Sequence, residues 1–476
     1  MRRRDLLRVL GLGAATGGIG GGAGGYVSAA DTEEVRARVN TASEPSALRI
    51  TDLRVVPIYA QMRPYVLRLD TNQGLSGYGE IRDGASPTYA LMLKSRVLGE
   101  NPCHVDKIFR KLKQFGHHGR QAGGVVAVEM ACWDLAGKAW GVPCWQMLGG
   151  KFRDRIRVYA DTPFSPDPQV MGNRLKQRRE QGFTFLKMDV GINLLRGFKD
   201  GLTAPQGPGG ASFARRGDPS WNVAHPFTGV RITDQGLKQI QEYIGTVREI
   251  VGWDVPIAAD HFGRFGIEDG IKLAQALDPC NLAWLEDMVP WQYTDQYVRL
   301  KNSCKTPILT GEDIYLKEGF LPLFEKQAIS ICHPDLATAG GLLETKKIGD
   351  LAMEHGIGMA MHMAGSPVLL FASVHCAAAT ENFLVMECHD ADTPYYGDLV
   401  DGVPKPLVGS NGLIQVPDGP GLGIELNEQA VKDAIRKRGG DADQEYFPPT
   451  PQWNRERSLD RLWSFSPPSG TDRRGS

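Results

Sequence analysis

The chain has 476 residues, of which 42% are hydrophobic and 23% charged, so it holds enough apolar side chain for a large core and more than one domain, and disorder is not its main theme. Its formal net charge is −1, which provides no basic field to hold nucleic acid and no acidic tail to solvate a partner. Any charge-based function is therefore local.

At the N-terminus, Arg2-Arg3-Arg4-Asp5-Leu6-Leu7-Arg8 leads into a Gly/Ala-rich, weakly apolar stretch and then the small residues Ser28-Ala29-Ala30. This order is similar to a twin-arginine export signal over residues 1–29, with cleavage after Ala29 and a periplasmic mature protein as the expectation. An uncleaved membrane anchor is the alternative, but so many glycines make a poor spanning helix. No other segment is long and apolar enough to span a bilayer, so no membrane association is expected after cleavage. Residues 30–47 are polar and read as a linker.

Residues 48–150 read as an α+β unit. Within it, 50–56 and 65–69 have the pattern of strands, 74–80 carries turn glycines, and 125–140 is apolar at helical spacing. From residue 151 a regular alternation begins. Short apolar runs at 156–161, 183–189, 255–260, 282–286, 307–312, 329–335, 357–362 and 383–387 are mostly separated by helical segments, the pattern of a (β/α)8 barrel over 151–412. A doubly wound open sheet would need a glycine-rich phosphate loop after an early strand, and none is present. Residues 191–234 are rich in Gly, Pro and aromatics and read as an inserted loop over the barrel mouth. The eight cysteines form no CxxC pair and no zinc-like spacing, and read as mostly buried apolar residues.

Asp260, Glu286 and Glu312 each close an apolar run and are spaced 26 and 26 residues apart, about one βα unit. In a barrel this repeat sets three carboxylates side by side at the carboxyl-terminal face, where hard oxygen donors suit Mg²⁺. A single strand-end acid is more often a loop cap or an ion-pair partner, but three in register are not explained that way. Asp335 closes the sixth run and His362 the seventh, so the carboxylate can fix the imidazole tautomer and raise its basicity. Glu387 closes the eighth, opposite the metal.

These residues together resemble the mandelate racemase subgroup of the enolase superfamily. The likeness runs from residue 48 to 431 and includes Glu129-Met130-Ala131-Cys132-Trp133-Asp134-Leu135-Ala136-Gly137-Lys138, then Gly141-Val142-Pro143 and Leu148-Gly149-Gly150. This stretch is similar to the helix and turn that join the family's cap to its barrel. The resemblance implies that 48–150 caps the barrel, that 413–446 returns to the cap, that 447–476 is a Pro-rich tail, and that the chain assembles as a homo-oligomer.

It also implies Mg²⁺-assisted abstraction of the proton alpha to a carboxylate, with His362 as base, Asp335 orienting it, and Lys187 and Glu387 binding substrate. Racemising relatives carry Lys-x-Lys at the second strand, whereas this chain has Lys187-Met188-Asp189. An aspartate is a poor partner for reprotonating carbon, which disfavours two-base racemisation and leaves Asp189 as a substrate contact. Sugar-acid dehydratases of the superfamily carry a histidine two residues beyond the first metal ligand. Here His261 follows Asp260 directly, one residue early, and is the candidate general acid. His225, His117 and His118 are further substrate-contact candidates, or surface histidines. The expected reaction is loss of water from an aldonic or aldaric acid. A cycloisomerase of a sugar lactone or anhydro-sugar acid, and a non-catalytic sugar-acid binder, are the alternatives.

Overall fold

A computed structural model describes residues 44–116, 122–203, 231–260, 262–263 and 265–455. The described chain opens with a three-stranded antiparallel sheet of β1 (Ile50–Pro57), β2 (Tyr65–Thr71) and β3 (Ser76–Ile81). The segment read as a glycine turn is largely β3, and only Gly74, at φ 77°, makes the turn. Gly77 and Gly79 are in the strand because helix α1 (Gly123–Trp140) lies directly on it. A Cβ at Gly77 would come within 2.4 Å of the Ala131 carbonyl oxygen, and one at Gly79 within 1.9 Å of the Ala127 oxygen. The glycines permit a helix approach that any side chain would block.

Eight parallel strands follow: β4 (Arg155–Ala160), β5 (Leu186–Asp189), β6 (Ile257–Asp260), β7 (Leu285–Glu286), β8 (Ile308–Thr310), β9 (Ile331–Cys332), β10 (Gly358–Met361) and β11 (Phe383–Cys388). They pair in chain order from β5 to β11, β11 pairs with β4, and β4 lies against β5, which curls the sheet into a barrel. Among the described residues a helix of eight or more residues follows each of the first seven strands. The eighth is followed instead by 3-10 turns at His389–Asp392 and Tyr396–Leu399, so the barrel is a modified (β/α)8 form. The chain then forms β12 (Val400–Asp401), β13 (Leu413–Gln415) and β14 (Glu425–Leu426). β13 adds antiparallel to the edge of β4 away from β11. Inside the barrel, Tyr159, Phe185, Trp284, Leu309 and Val385 form a separate apolar cluster, with Phe185 stacked on Trp284 at 4.7 Å. This plug makes the barrel a packed core and leaves the strand ends above it free for chemistry.

Cap and barrel are joined by buried carboxylates that take the free N–H groups of helix starts. Glu80 of β3 accepts from Ser366 N, the Ser366 hydroxyl and Leu369 N at the start of the helix Pro367–Ala379. Glu129 of α1 accepts from Leu342 N at 2.9 Å, Leu343 N at 3.2 Å and Trp133 Nε1 at 2.7 Å. Each satisfies donors that a helix leaves unpaired. The C-terminal chain packs on the same cap. Phe447 is buried beside Tyr78 and Arg68, and Thr450 is buried with its hydroxyl on Leu53 O and Lys94 Nζ. Packed structure continues through Thr450, into the segment read from the sequence as a Pro-rich tail. All eight cysteines are free, and six are buried. Among the described residues no helix is long and apolar enough to cross a membrane.

Two stability predictions follow from this packing. Glu129→Ala should cost about 2–3 kcal/mol by urea unfolding, because it strands buried donors, while Glu129→Gln should keep part of that stability. His375 is fully buried with Trp145 N on its Nδ1 at 3.3 Å, and burial pushes its pKa down to about 4 from 6.5. An imidazole that stays neutral in the fold but protonates freely when unfolded stabilises the fold above pH 6.5. That contribution, about 3 kcal/mol, is lost as pH falls toward 4. His375→Gln should flatten the acid limb of the stability profile.

Candidate active site

Side chains alternate across a strand, so the last inward residues of neighbouring strands form layers at the barrel mouth. Tyr159 of β4 is paired with Glu387 of β11, and Lys187 of β5 sits two register steps below the Asp189–Asp260 pair. In the lower layer the Lys187 ammonium lies 2.9 Å from Asp260 Oδ2, 3.2 Å from Glu286 Oε1 and 3.0 Å from Glu387 Oε1, all buried. Burial opposes the lysine's charge, but Asp260, Glu286 and Glu387 overcome it and hold the pKa well above the usual value. Burial likewise penalises the Glu387 carboxylate, yet Lys187 and His389 keep it well below its ordinary value. Lys187 is thus a buried cation held among three carboxylates.

Asp335 and His362 face each other across an isolated parallel bridge, with His362 Nδ1 2.6 Å from Asp335 Oδ2. The other ring nitrogen, Nε2, points to Glu312 Oε2 at 3.1 Å and Glu387 Oε2 at 3.7 Å. Burial works against protonation, but Glu312, Asp335 and Glu387 push the imidazole up to about 9. The carboxylate holds one tautomer and leaves Nε2 facing the mouth, the arrangement of an oriented base.

Asp260 and Glu286 close their strands as the spacing predicts, whereas Glu312 lies two residues beyond β8. Its carboxylate turns to His362 and to Arg82 Nη2 at 3.6 Å. Asp260, Glu286 and Asp287 offer oxygens that all lie within 4.8 Å of one another. Burial and the neighbouring acids drive the Asp287 carboxyl well above its usual pKa, and the Thr310 hydroxyl donates to it at 2.5 Å. These clustered hard oxygen donors, two of them buried, fit a divalent cation such as Mg²⁺.

Several groups at the mouth were not read from the sequence. Arg82 comes from the cap, is fully buried, and reaches Asp83, Glu312, Asp313 and the Thr338 hydroxyl. No periodicity could have found it, since the cap is distant in sequence. His333 Nε2 lies 3.3 Å from Glu286 Oε1. Asp161 and His389 lie two residues beyond Tyr159 and Glu387, so the period of two carried a signal for them. Asp189 ends β5 opposite Asp260 and faces Asp161 electrostatically. His261, His225, His117 and His118 lie outside the described residues.

Known proteins share this fold and sequence pattern. Residues 38–149 match the mandelate racemase/muconate lactonizing enzyme N-terminal domain, and 170–430 match the enolase C-terminal domain-like family. A D-xylonate dehydratase of Haloferax volcanii is 32% identical over 80% of this chain and 88% of its own length. A D-galactarolactone cycloisomerase of Agrobacterium fabrum is 25% identical over 86% of this chain and 98% of its own. The crystal structure of a mandelate racemase/muconate lactonizing enzyme-like protein from Rubrobacter xylanophilus aligns at TM-score 0.71 and 30% identity, covering 82% of this chain and 98% of that one. The protein is a barrel enzyme of the enolase superfamily. It belongs to the mandelate racemase/muconate lactonizing enzyme family, and its relatives place it in the lyase class.

Asp335→Asn should keep the shape of the dyad but remove the charge that holds the imidazole. We expect a fall of roughly 10²–10⁴-fold in turnover with a folded circular-dichroism spectrum, and unchanged turnover would remove Asp335 from the site.

Proposed function

We propose that this enzyme removes water from an acid sugar, an aldonate or aldarate, giving a 2-keto-3-deoxy acid. The observation that carries the reading is the His362–Asp335 pair, whose Nε2 faces the Glu312 and Glu387 carboxylates beside the Lys187 ammonium. A proton alpha to a carboxylate is very weakly acidic, so its removal requires both a held base and nearby positive charge. Nε2 of His362 takes the proton. Lys187 holds the substrate end against Glu387, and Asp335 keeps the imidazole turned toward the carbon. Asp260 and Glu286, with Glu312 or Asp287, would hold Mg²⁺, which would supply positive charge to a substrate carboxylate. The relatives named as dehydratases of xylonate, gluconate and galactonate support the acid-sugar class.

A cycloisomerase is the second reading, favoured by the Agrobacterium fabrum relative. It uses the same proton abstraction but expels an oxygen of the substrate's own ring, so its product keeps the substrate's mass. The N-terminal arginine pair and small-residue site support export, which the mature N-terminal sequence and cell fractionation would test.

The first experiment is a screen of purified protein with Mg²⁺ against D-xylonate, D-gluconate, D-galactonate and related acids and lactones, detecting 2-keto acid. We expect a hit that disappears with EDTA and in His362→Asn. An isomer of unchanged mass would move the assignment to the cycloisomerase. Binding without α-deuterium exchange would leave a binding protein.

A further inference from the structure

The upper layer of the mouth contains a second imidazole and carboxylate. Glu387 and His389 share one face at the end of β11, as Tyr159 and Asp161 do at the end of β4, and Glu387 is paired with Tyr159. Asp161 N also donates to Cys388 O, which keeps the two strand ends together beyond the sheet. His389 therefore stands above Glu387, and Asp161 above Tyr159. The imidazole Nδ1 lies 3.6 Å from Asp161 Oδ2, and Nε2 lies 3.5 Å from Glu387 Oε1. Gln61 of the cap donates to the same Asp161 oxygen at 3.3 Å, and its backbone N donates to Asp390. The side chain of His389 is 19% exposed, whereas that of His362 is 7% exposed, so His389 is the more open of the two to the mouth.

The two histidines directly follow neighbouring strands, with ring centroids 5.8 Å apart, and each presents Nε2 to a different oxygen of Glu387. That separation allows one substrate to meet both, with its α-hydrogen at His362 and its β-hydroxyl at His389. We propose that His389 is the general acid of this site, giving the proton with which the β-hydroxyl leaves as water. The inference rests on the dehydratase reading and supplies a group that reading lacks.

In the step, His362 Nε2 takes the α-proton and the electron pair of that C–H bond forms the carbon–carbon double bond. The β C–O bond breaks with its pair going to oxygen, and His389 donates the proton that completes water. The enol product becomes the 2-keto acid by tautomerisation, without net gain or loss of protons. Solvent returns one proton to His389 and removes one from His362. Two carboxylates, Asp161 and Glu387, flank the imidazole and favour its protonated form over the opposing effect of burial. Each ring nitrogen faces an acid, while the His362 ring 5.8 Å away opposes the charge.

The test compares wild type, His389→Asn, His261→Asn and His362→Asn on D-xylonate, D-gluconate and D-galactonate. It also uses the 3-deoxy-3-fluoro analogue of the acid that turns over, because fluoride leaves without a proton donor. For His389→Asn we expect dehydration to fall about 10²–10³-fold, while α-proton exchange in D₂O and fluoride release stay within about tenfold of wild type. His362→Asn should lose all three activities. Equal loss of water and fluoride release in His389→Asn would overturn the role, as would unchanged dehydration, or the selective pattern appearing in His261→Asn instead. A wild type that forms no keto acid from any of the acids would overturn the dehydratase reading and this inference with it. That outcome differs from the others because it is already visible without a variant.

Discussion

The carboxylates of Asp260, Glu286, Glu312, Asp335 and Glu387 converge on one end of the barrel, and all but Glu312 are buried. In surroundings of low dielectric such charges repel strongly and cannot all persist without cations. Lys187 sits between three of them, Arg82 reaches Glu312, and His333, His362 and His389 each lie against at least one. A divalent ion would relieve the part of the ring formed by Asp260, Glu286 and Asp287. The same repulsion that makes this region costly to fold makes it suited to stabilising charge that appears during a reaction.

This neutralisation depends on the cap as well as the barrel. Arg82 follows β3 directly and ends among barrel acids, and Gln61, beyond β1, donates to Asp161. Both are fixed because the cap is locked in place by Glu80 and Glu129 on the starts of two barrel helices. At Gly341, φ 90°, a Cβ would come within 1.9 Å of Glu129 Oε2, so even the helix start is shaped to receive the carboxylate. The cap closes the mouth and also contributes charge to it, which couples its packing to the site's electrostatics.

Much of this was legible in one dimension. Strand-end acids repeating once per βα unit announce a barrel and a set of oxygen donors, because the repeat length of the fold maps sequence spacing onto neighbouring strand ends. His362 and Asp335 were legible for the same reason, since they close successive runs. Gly77 and Gly79 were misread as turn residues because glycine signals both turns and close approach. Only the helix lying on β3 shows which applies here.

The sequence by itself determined the barrel class, the acids at the strand ends and the imidazole that pairs with one of them, all local periodicities read along the chain. Which carboxylates face the same point was decided by the tertiary structure. It turned Glu312 to His362, gathered Asp287 with Asp260 and Glu286, and brought Arg82 in from the cap. It also set His389 beside Asp161 and Glu387. The physical reason is that Coulomb interaction depends on distance through space, and closure of the barrel brings residues far apart in the chain within a few ångströms.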